Sequence, residues 1–230
     1  MTLGASKIPK IIHQIWIGPD PVPPHCLKFI EEMKKLHPDW DYKLWGNEVF
    51  EDLYPNDPFF KNYLADTEVF KWAYIADRLR LLILRDFGGV YCDVDAKPIR
   101  SFNLVGDQLN QGHTYFAGVR PIGQDSNEIP LIDCTVIGAT KNSRMINHCL
   151  SLYVDEFWAW MGRGLSDRMW PVMGPDVALF DYKYFYDTEI TDKTIICHDA
   201  EDHRLWSWSN GRPCDEEGND WENKNAEYKT

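Results

Sequence analysis

The first apolar run of the chain, Ile11-Ile12-His13-Gln14-Ile15-Trp16-Ile17, is short, rich in β-branched residues and closed by Gly18-Pro19. These features predict a buried strand that opens into a loop. Pro19, Pro21, Pro23 and Pro24 keep that loop extended. Leu27, Ile30, Met33 and Leu36 recur at helical spacing and predict an amphipathic helix over 25–36, ended by His37-Pro38. Alternation over 40–45 predicts a second strand. Strand, helix and strand in succession begin an α/β sheet. The strongest helical pattern covers 66–86. Its apolar positions at 69, 72, 73, 75, 76, 79, 82, 83 and 84 occupy most of the circumference, so this helix is expected to be largely buried. Gly88-Gly89 stops it. A strand over 90–94 follows, then strands over 114–119 and 134–139 and a helix over 143–161. From Trp206 onward the composition is loop-like. No repeat and no linker divides the 230 residues, which predicts a single α/β domain with a tail from about 209.

Composition narrows the partners. The net charge of −12 argues against a sequence-independent nucleic-acid binder, which needs cations for the phosphates. An acidic protein still binds a nucleotide when a divalent cation mediates the contact. Ten Trp, eleven Tyr and eleven Phe suit a core, and equally suit stacking on sugars or bases. Cys26, Cys92, Cys134, Cys149, Cys197 and Cys214 form no C-x-x-C pair and read as separate, reduced thiols of a cytosolic protein. No signal-peptide pattern and no transmembrane-length apolar run stands in the sequence.

The candidate chemistry lies in Gly88-Gly89-Val90-Tyr91-Cys92-Asp93-Val94-Asp95. On a strand, Asp93 and Asp95 point to one face, roughly 7 Å apart. Two such carboxylates are either a solvated strand end or a site for a hard divalent cation such as Mn²⁺ or Mg²⁺, which prefers oxygen ligands. One helix earlier, Asp77 and Arg80 stand at i and i+3 among apolar neighbours. They form either a buried ion pair or, brought to the D-x-D strand by the Gly-Gly turn, half of a ligand site. His13 interrupts an apolar strand and is expected to bond backbone in the core. Met173-Gly174-Pro175-Asp176 reads as a tight turn, with Asp176 also open to a role facing the donor or acceptor.

These residues resemble the D-x-D sugar-binding-region glycosyltransferases of glycosyltransferase family 32, and are more distantly similar to the glucosylating domains of large clostridial toxins. The resemblance rests on residues 8–18, on Ala76-Asp77-Arg78-Leu79-Arg80, on Gly88-Gly89-Val90-Tyr91 with Asp93-Val94-Asp95, on Gly174-Pro175, and on a weaker ending of His203 with Ser207-Trp208. It implies a GT-A fold, a Rossmann-like α/β sandwich, and retaining transfer of a hexose from a UDP- or GDP-sugar to a glycan or glycoconjugate. It implies Trp16 on the nucleobase beside Ile17, and Asp77 and Arg80 on donor hydroxyls. Tyr91 and Asp93 would lie at the donor, Asp95 on the metal with Asp93, and Ser207 and Trp208 over the diphosphate. Where the family commonly shows His-His before Gly-Ser-Trp, this chain has Asp202-His203-Arg204-Leu205-Trp206-Ser207-Trp208, which leaves the last metal ligand open between His198, His203 and Ser207. Retention by same-face attack and by double displacement through Asp77 or Asp176 both remain open. Two other classes use parts of the same pattern: a metal-dependent nucleotide-sugar hydrolase or nucleotidyltransferase, and a non-catalytic carbohydrate-binding module. The expected setting is the cytoplasm, for a bacterial or virus-encoded enzyme.

Overall fold

The computed structural model describes residues 7–65, 71–106, 112–120, 130–152, 163–186 and 190–197. Its centre is a six-stranded mixed sheet. The strands are β1 (Ile11–Ile15), β2 (Asp41–Trp45), β3 (Gly89–Cys92), β5 (Tyr115–Arg120), β6 (Leu131–Ala139) and β7 (Val177–Asp181), in the spatial order β2-β1-β3-β6-β5-β7. β1 pairs in parallel with both β2 and β3, β5 pairs in parallel with β7, and β6 runs antiparallel to β3 and β5. A small ribbon joins β4 (Lys97–Pro98) to β8 (Ile196–Cys197).

The helices are α1 (Pro24–Leu36), α2 (Val49–Asp52), α3 (Pro58–Ala65), α4 (Lys71–Phe87), α5 (Arg144–Ser151) and α6 (Arg163–Met169). α1 starts on a proline at its first position and places Lys34 and Lys35 in its last turn, where cations suit the helix dipole. Its buried stripe is Cys26-Ile30-Met33, while Leu27 faces water at 48% exposure. The sheet divides two apolar layers. Tyr91, Ile137 and Tyr115 join Ile75, Leu79 and Leu82 of α4 on one side. Val90, Cys92 and Val136 join Met33, Phe102 and Phe185 on the other. Strand alternation produces this split, since successive side chains of β3 point to opposite faces.

The helix expected over 66–86 is present from Lys71, with 66–70 outside the described residues. Gly88 and Gly89 follow it at φ 66° and 107°. A Cβ on Gly89 would stand 2.5 Å from the Ile11 carbonyl oxygen, so the turn has room only for glycine. The helix expected over 143–161 is described as far as Ser151, and the tail from 209 lies outside the described residues. β7 and the short α2 and α3 are additions the periodicity did not reveal.

The strand expected over 90–94 ends early. Pairing stops at Cys92, and 93–96 is a turn closed by the Ala96 N–H on the Asp93 carbonyl at 3.3 Å. That carbonyl also accepts from the Gln14 side chain at 3.1 Å, so it leaves the sheet ladder. Burial still alternates through the turn. Cys92, Val94 and Ala96 are buried, and Asp93 and Asp95 are partly open.

Candidate active site

The site sits where the chain reverses its direction of winding. From β1 the chain passes through α1 to β2 on one side, then through α4 to β3 on the other. In open α/β sheets, ligands bind beyond the carboxyl ends of strands at such a switch point. The residues just past β1 and β3 are Trp16, Ile17 and Gly18, and Asp93, Val94 and Asp95.

Helix and strand geometry brings Asp77 and Arg80 to the same place. Seven residues from Arg80 to Phe87 span roughly 10 Å of helix, and four from Gly89 to Asp93 span roughly 13 Å of strand. The Gly-Gly turn sets the two elements antiparallel, so Arg80 comes level with Asp93. The contacts agree. Arg80 Nη2 lies 2.7 Å from Asp77 Oδ1, and Nη1 lies 3.4 Å from Asp93 Oδ1. Nη1 also donates to the Cys134 carbonyl at 2.8 Å, and the guanidinium carbon stands 4.5 Å from the centre of the Tyr91 ring. The Tyr91 hydroxyl donates to Asp93 Oδ1 at 2.5 Å. Arg80 Nε is buried and finds no hydrogen-bond partner among the described residues.

Asp77 and Arg80 are 5% and 6% exposed, and Tyr91 only 2%. Tyr91 is therefore a buried floor beneath Asp93 and Arg80. Burial pushes the Asp77 carboxyl up to about 7; Arg80 opposes this and Asp93 adds to it. Burial works against the charge on Arg80, but Tyr91, Asp93 and Asp77 outweigh it and hold the guanidinium well above its usual range. Arg80 stays a fixed cation.

Asp93 and Asp95 supply hard oxygen donors of the kind Mn²⁺ and Mg²⁺ prefer, and such ions commonly use one or two carboxylates and complete their shell with water and phosphate oxygens. The nearby thiols of Cys26 and Cys92 are pushed up by burial, with Asp95 adding to the shift in both, so neither is a thiolate ligand. No group of three His, Cys, Asp or Glu that could hold a metal occurs among the described residues. His198, His203, Ser207 and Trp208 lie outside them.

On the β1 side, Trp16 is partly exposed and donates its indole N–H to the Asp20 carbonyl at 2.8 Å. Trp16 is therefore only partly buried and not enclosed in the core. Ile17 packs on the α4 layer. The loop is held by reciprocal bonds of 2.9 Å between the Asn47 side chain and the Gly18 N–H and carbonyl. Gly18 takes φ 116° with the Trp72 indole against it. His13 bonds backbone as expected: its Nε2 meets the Gly88 carbonyl at 2.8 Å, and its Nδ1 accepts from Trp45 at 3.1 Å.

Asp176 does not join this site. Val177 pairs with Tyr115, Tyr115 with Ala139, and Ala139 with Gly89, so Asp176 stands at the opposite edge of the sheet from Asp93. There it binds Arg144 at 2.8 Å and Thr114 at 2.9 Å and closes the turn into β7. Sequence reading missed the irregularity in β6. Between the pairs Ala117–Ile137 and Val119–Ile132, four residues of β6 face one of β5. This bulge, 133–136, supplies the carbonyls that hold Arg80 and the Asp93 N–H.

The fold is GT-A-like. The solved structure of PaToxG glycosyltransferase superposes with a TM-score of 0.56 at 21% identity, covering 73% of this chain and 71% of that one. Residues 23–113 match the family "glycosyltransferase sugar-binding region containing DXD motif". The match contains Asp77, Arg80, Asp93 and Asp95. A mannosyl phosphorylinositol ceramide synthase of Saccharomyces cerevisiae is 39% identical over 90 residues, 38% of this chain and 22% of that protein. An uncharacterized glycosyltransferase of Acanthamoeba polyphaga mimivirus is 36% identical over 112 residues, 48% of this chain and 43% of that protein. The chain thus spans less than half the length of these two relatives. No helix among the described residues is long and apolar enough to cross a membrane.

Proposed function

We propose that this chain is a metal-dependent, retaining hexosyltransferase that uses a UDP- or GDP-hexose as donor. The observation that carries the reading is the junction of Arg80 with Asp77 and Asp93 at the switch point, with Asp95 two residues on. Relatives named as a mannosyl transferring synthase and as a glycosyltransferase support a hexosyl donor.

Each residue has a part in this reading. Trp16 offers its ring to the base. Asp93 and Asp95 hold Mn²⁺ or Mg²⁺, which when bound neutralises charge developing on the leaving diphosphate. Tyr91 and Arg80 fix the orientation of the Asp93 carboxylate. Arg80, held by Asp77 against the Cys134 carbonyl, is a preorganised cation at the floor where the donor sugar sits. Burial of Asp77 and its pairing with Arg80 favour same-face attack over a double displacement through that carboxylate, and Asp176 is at the wrong edge for one. Cys26, Cys92 and Cys149 carry free thiols, which fits a cytoplasmic setting.

The test is product analysis with a panel of UDP- and GDP-hexoses, Mn²⁺ and hydroxyl acceptors. Transfer with retained anomeric configuration supports the reading. Release of free hexose alone, whatever the acceptor, identifies a hydrolase, and binding without turnover identifies a carbohydrate-binding module.

A further inference from the structure

A second charged pair stands on the same sheet edge, beyond β3. Asp133 opens the bulge of β6, and its side chain is 1% exposed. One of its oxygens accepts the Thr135 N–H at 2.6 Å, and the other accepts Nε of Arg120, the last residue of β5. The Thr135 carbonyl in turn accepts the Asp93 N–H at 3.0 Å. The pair is thus hydrogen-bonded, through one peptide unit of β6, to the backbone of the D-x-D turn.

Arg120 is held on a second side as well. Its guanidinium carbon lies 3.4 Å from the centre of the Tyr186 ring. A guanidinium stacked on a ring and tethered at Nε has lost most of its freedom, which lowers the entropic cost of a further contact. Its side chain is nevertheless 36% exposed, and its two terminal nitrogens make no bond among the described residues. They form a fork of parallel N–H donors.

We propose that Arg120 is an acceptor-binding residue that grips a pair of vicinal hydroxyls on a neutral polyol. The proposal rests on the transferase reading above. In that reading the donor occupies the edge over β1 and β3. The acceptor then approaches over β6, β5 and β7, and Arg120 stands on that side. Charge selects the ligand class. A fork of two N–H groups fits a carboxylate, a phosphate or a vicinal diol alike. The charge of Arg120 is already matched by Asp133, and the chain carries a net charge of −12. An anion would meet a locally neutral pair within an acidic field, whereas a diol needs only the donors. A pyranose and a cyclitol both supply such a diol.

The experiment titrates the full chain with myo-inositol, with methyl hexosides and with inorganic phosphate by ligand-detected NMR. It compares wild type with Arg120→Lys and with Arg120→Met, at low and high salt. Steady-state transfer to the same polyols and donor affinity by calorimetry are measured in parallel. The expected result is polyol affinity that is insensitive to salt and falls about ten-fold or more in both variants, since both remove the preorganised fork of donors. The acceptor KM rises in step, kcat changes little, and donor affinity is unchanged. Tighter binding of the polyol class that loses most in the variants separates cyclitol from pyranose. Unchanged polyol affinity in the variants overturns the proposal, as does phosphate binding that outcompetes the polyols and weakens with salt, or a loss of donor affinity. Arg120-dependent polyol binding without any transfer from a nucleotide sugar keeps the polyol site and removes the transferase reading.

Discussion

Replacing Arg80 with Met keeps the apolar stem and removes the guanidinium. The ion pair to Asp77 at 2.7 Å is then broken within a site where both partners are less than a tenth exposed. Breaking a buried pair from one side costs about 3–5 kcal/mol, because the remaining charge has no counter-ion. The bond to the Cys134 carbonyl and the stack on Tyr91 are lost too, each on the order of 1 kcal/mol. The expected loss is about 5–7 kcal/mol, or a fall in Tm on the order of 10–25 °C for a chain of this size. Urea denaturation followed by tryptophan fluorescence and circular dichroism measures it. The companion variant Asp77→Asn/Arg80→Met removes the stranded charge and recovers about 2–3 kcal/mol. A single-variant loss below about 1 kcal/mol, or strict additivity of the two substitutions, refutes the coupling.

Three further outcomes are expected. Tyr91→Phe keeps the ring under Arg80 and removes the 2.5 Å bond to Asp93; metal-dependent donor affinity falls about five- to twenty-fold by calorimetry, since a bond to a charged group is worth about 1–2 kcal/mol at a partly exposed carboxylate. His13 titrates at about 4 in the folded chain because burial disfavours its charged form, against an ordinary 6.5. The unfolded chain binds the proton first, so His13 leaves stability intact above about pH 6.5 and removes on the order of 3 kcal/mol as pH falls toward 4. Denaturation across that range shows the slope, and His13→Gln flattens it. Asp176→Ala lowers Tm by a few degrees through the lost contacts to Arg144 and Thr114 and leaves donor affinity unchanged; a ten-fold loss of donor affinity returns Asp176 to the site.

The parts of the site legible in the sequence are those set by adjacent elements. Asp77, Arg80 and Asp93 lie on one helix, one turn and one strand in sequence, so helical rise, strand rise and the Gly88-Gly89 stop bring them together before any long-range pairing is known. The D-x-D turn was only half legible. Its apolar alternation reads as strand through Val94, but the Gln14 side chain and the Ala96 N–H capture the Asp93 carbonyl and end the ladder at Cys92. Asp176 shows where local reading fails: a Gly-Pro-Asp turn has the same pattern at either edge of a sheet, and only the β5–β7 register places it. Asp133 and Arg120 were invisible for the same reason, since a bulge is a property of two paired strands.

The central claim is that Asp95, with Asp93, holds a divalent cation that in turn holds the donor diphosphate. Calorimetric titration of UDP and GDP into wild type and Asp95→Ala, each with Mn²⁺ and with chelator, addresses it directly. The account predicts nucleotide binding by wild type only with Mn²⁺, and a loss of about a hundred-fold or more in Asp95→Ala with the ligand-free Tm unchanged. Equal nucleotide affinity in wild type and variant, or wild-type affinity that chelation leaves intact, contradicts it.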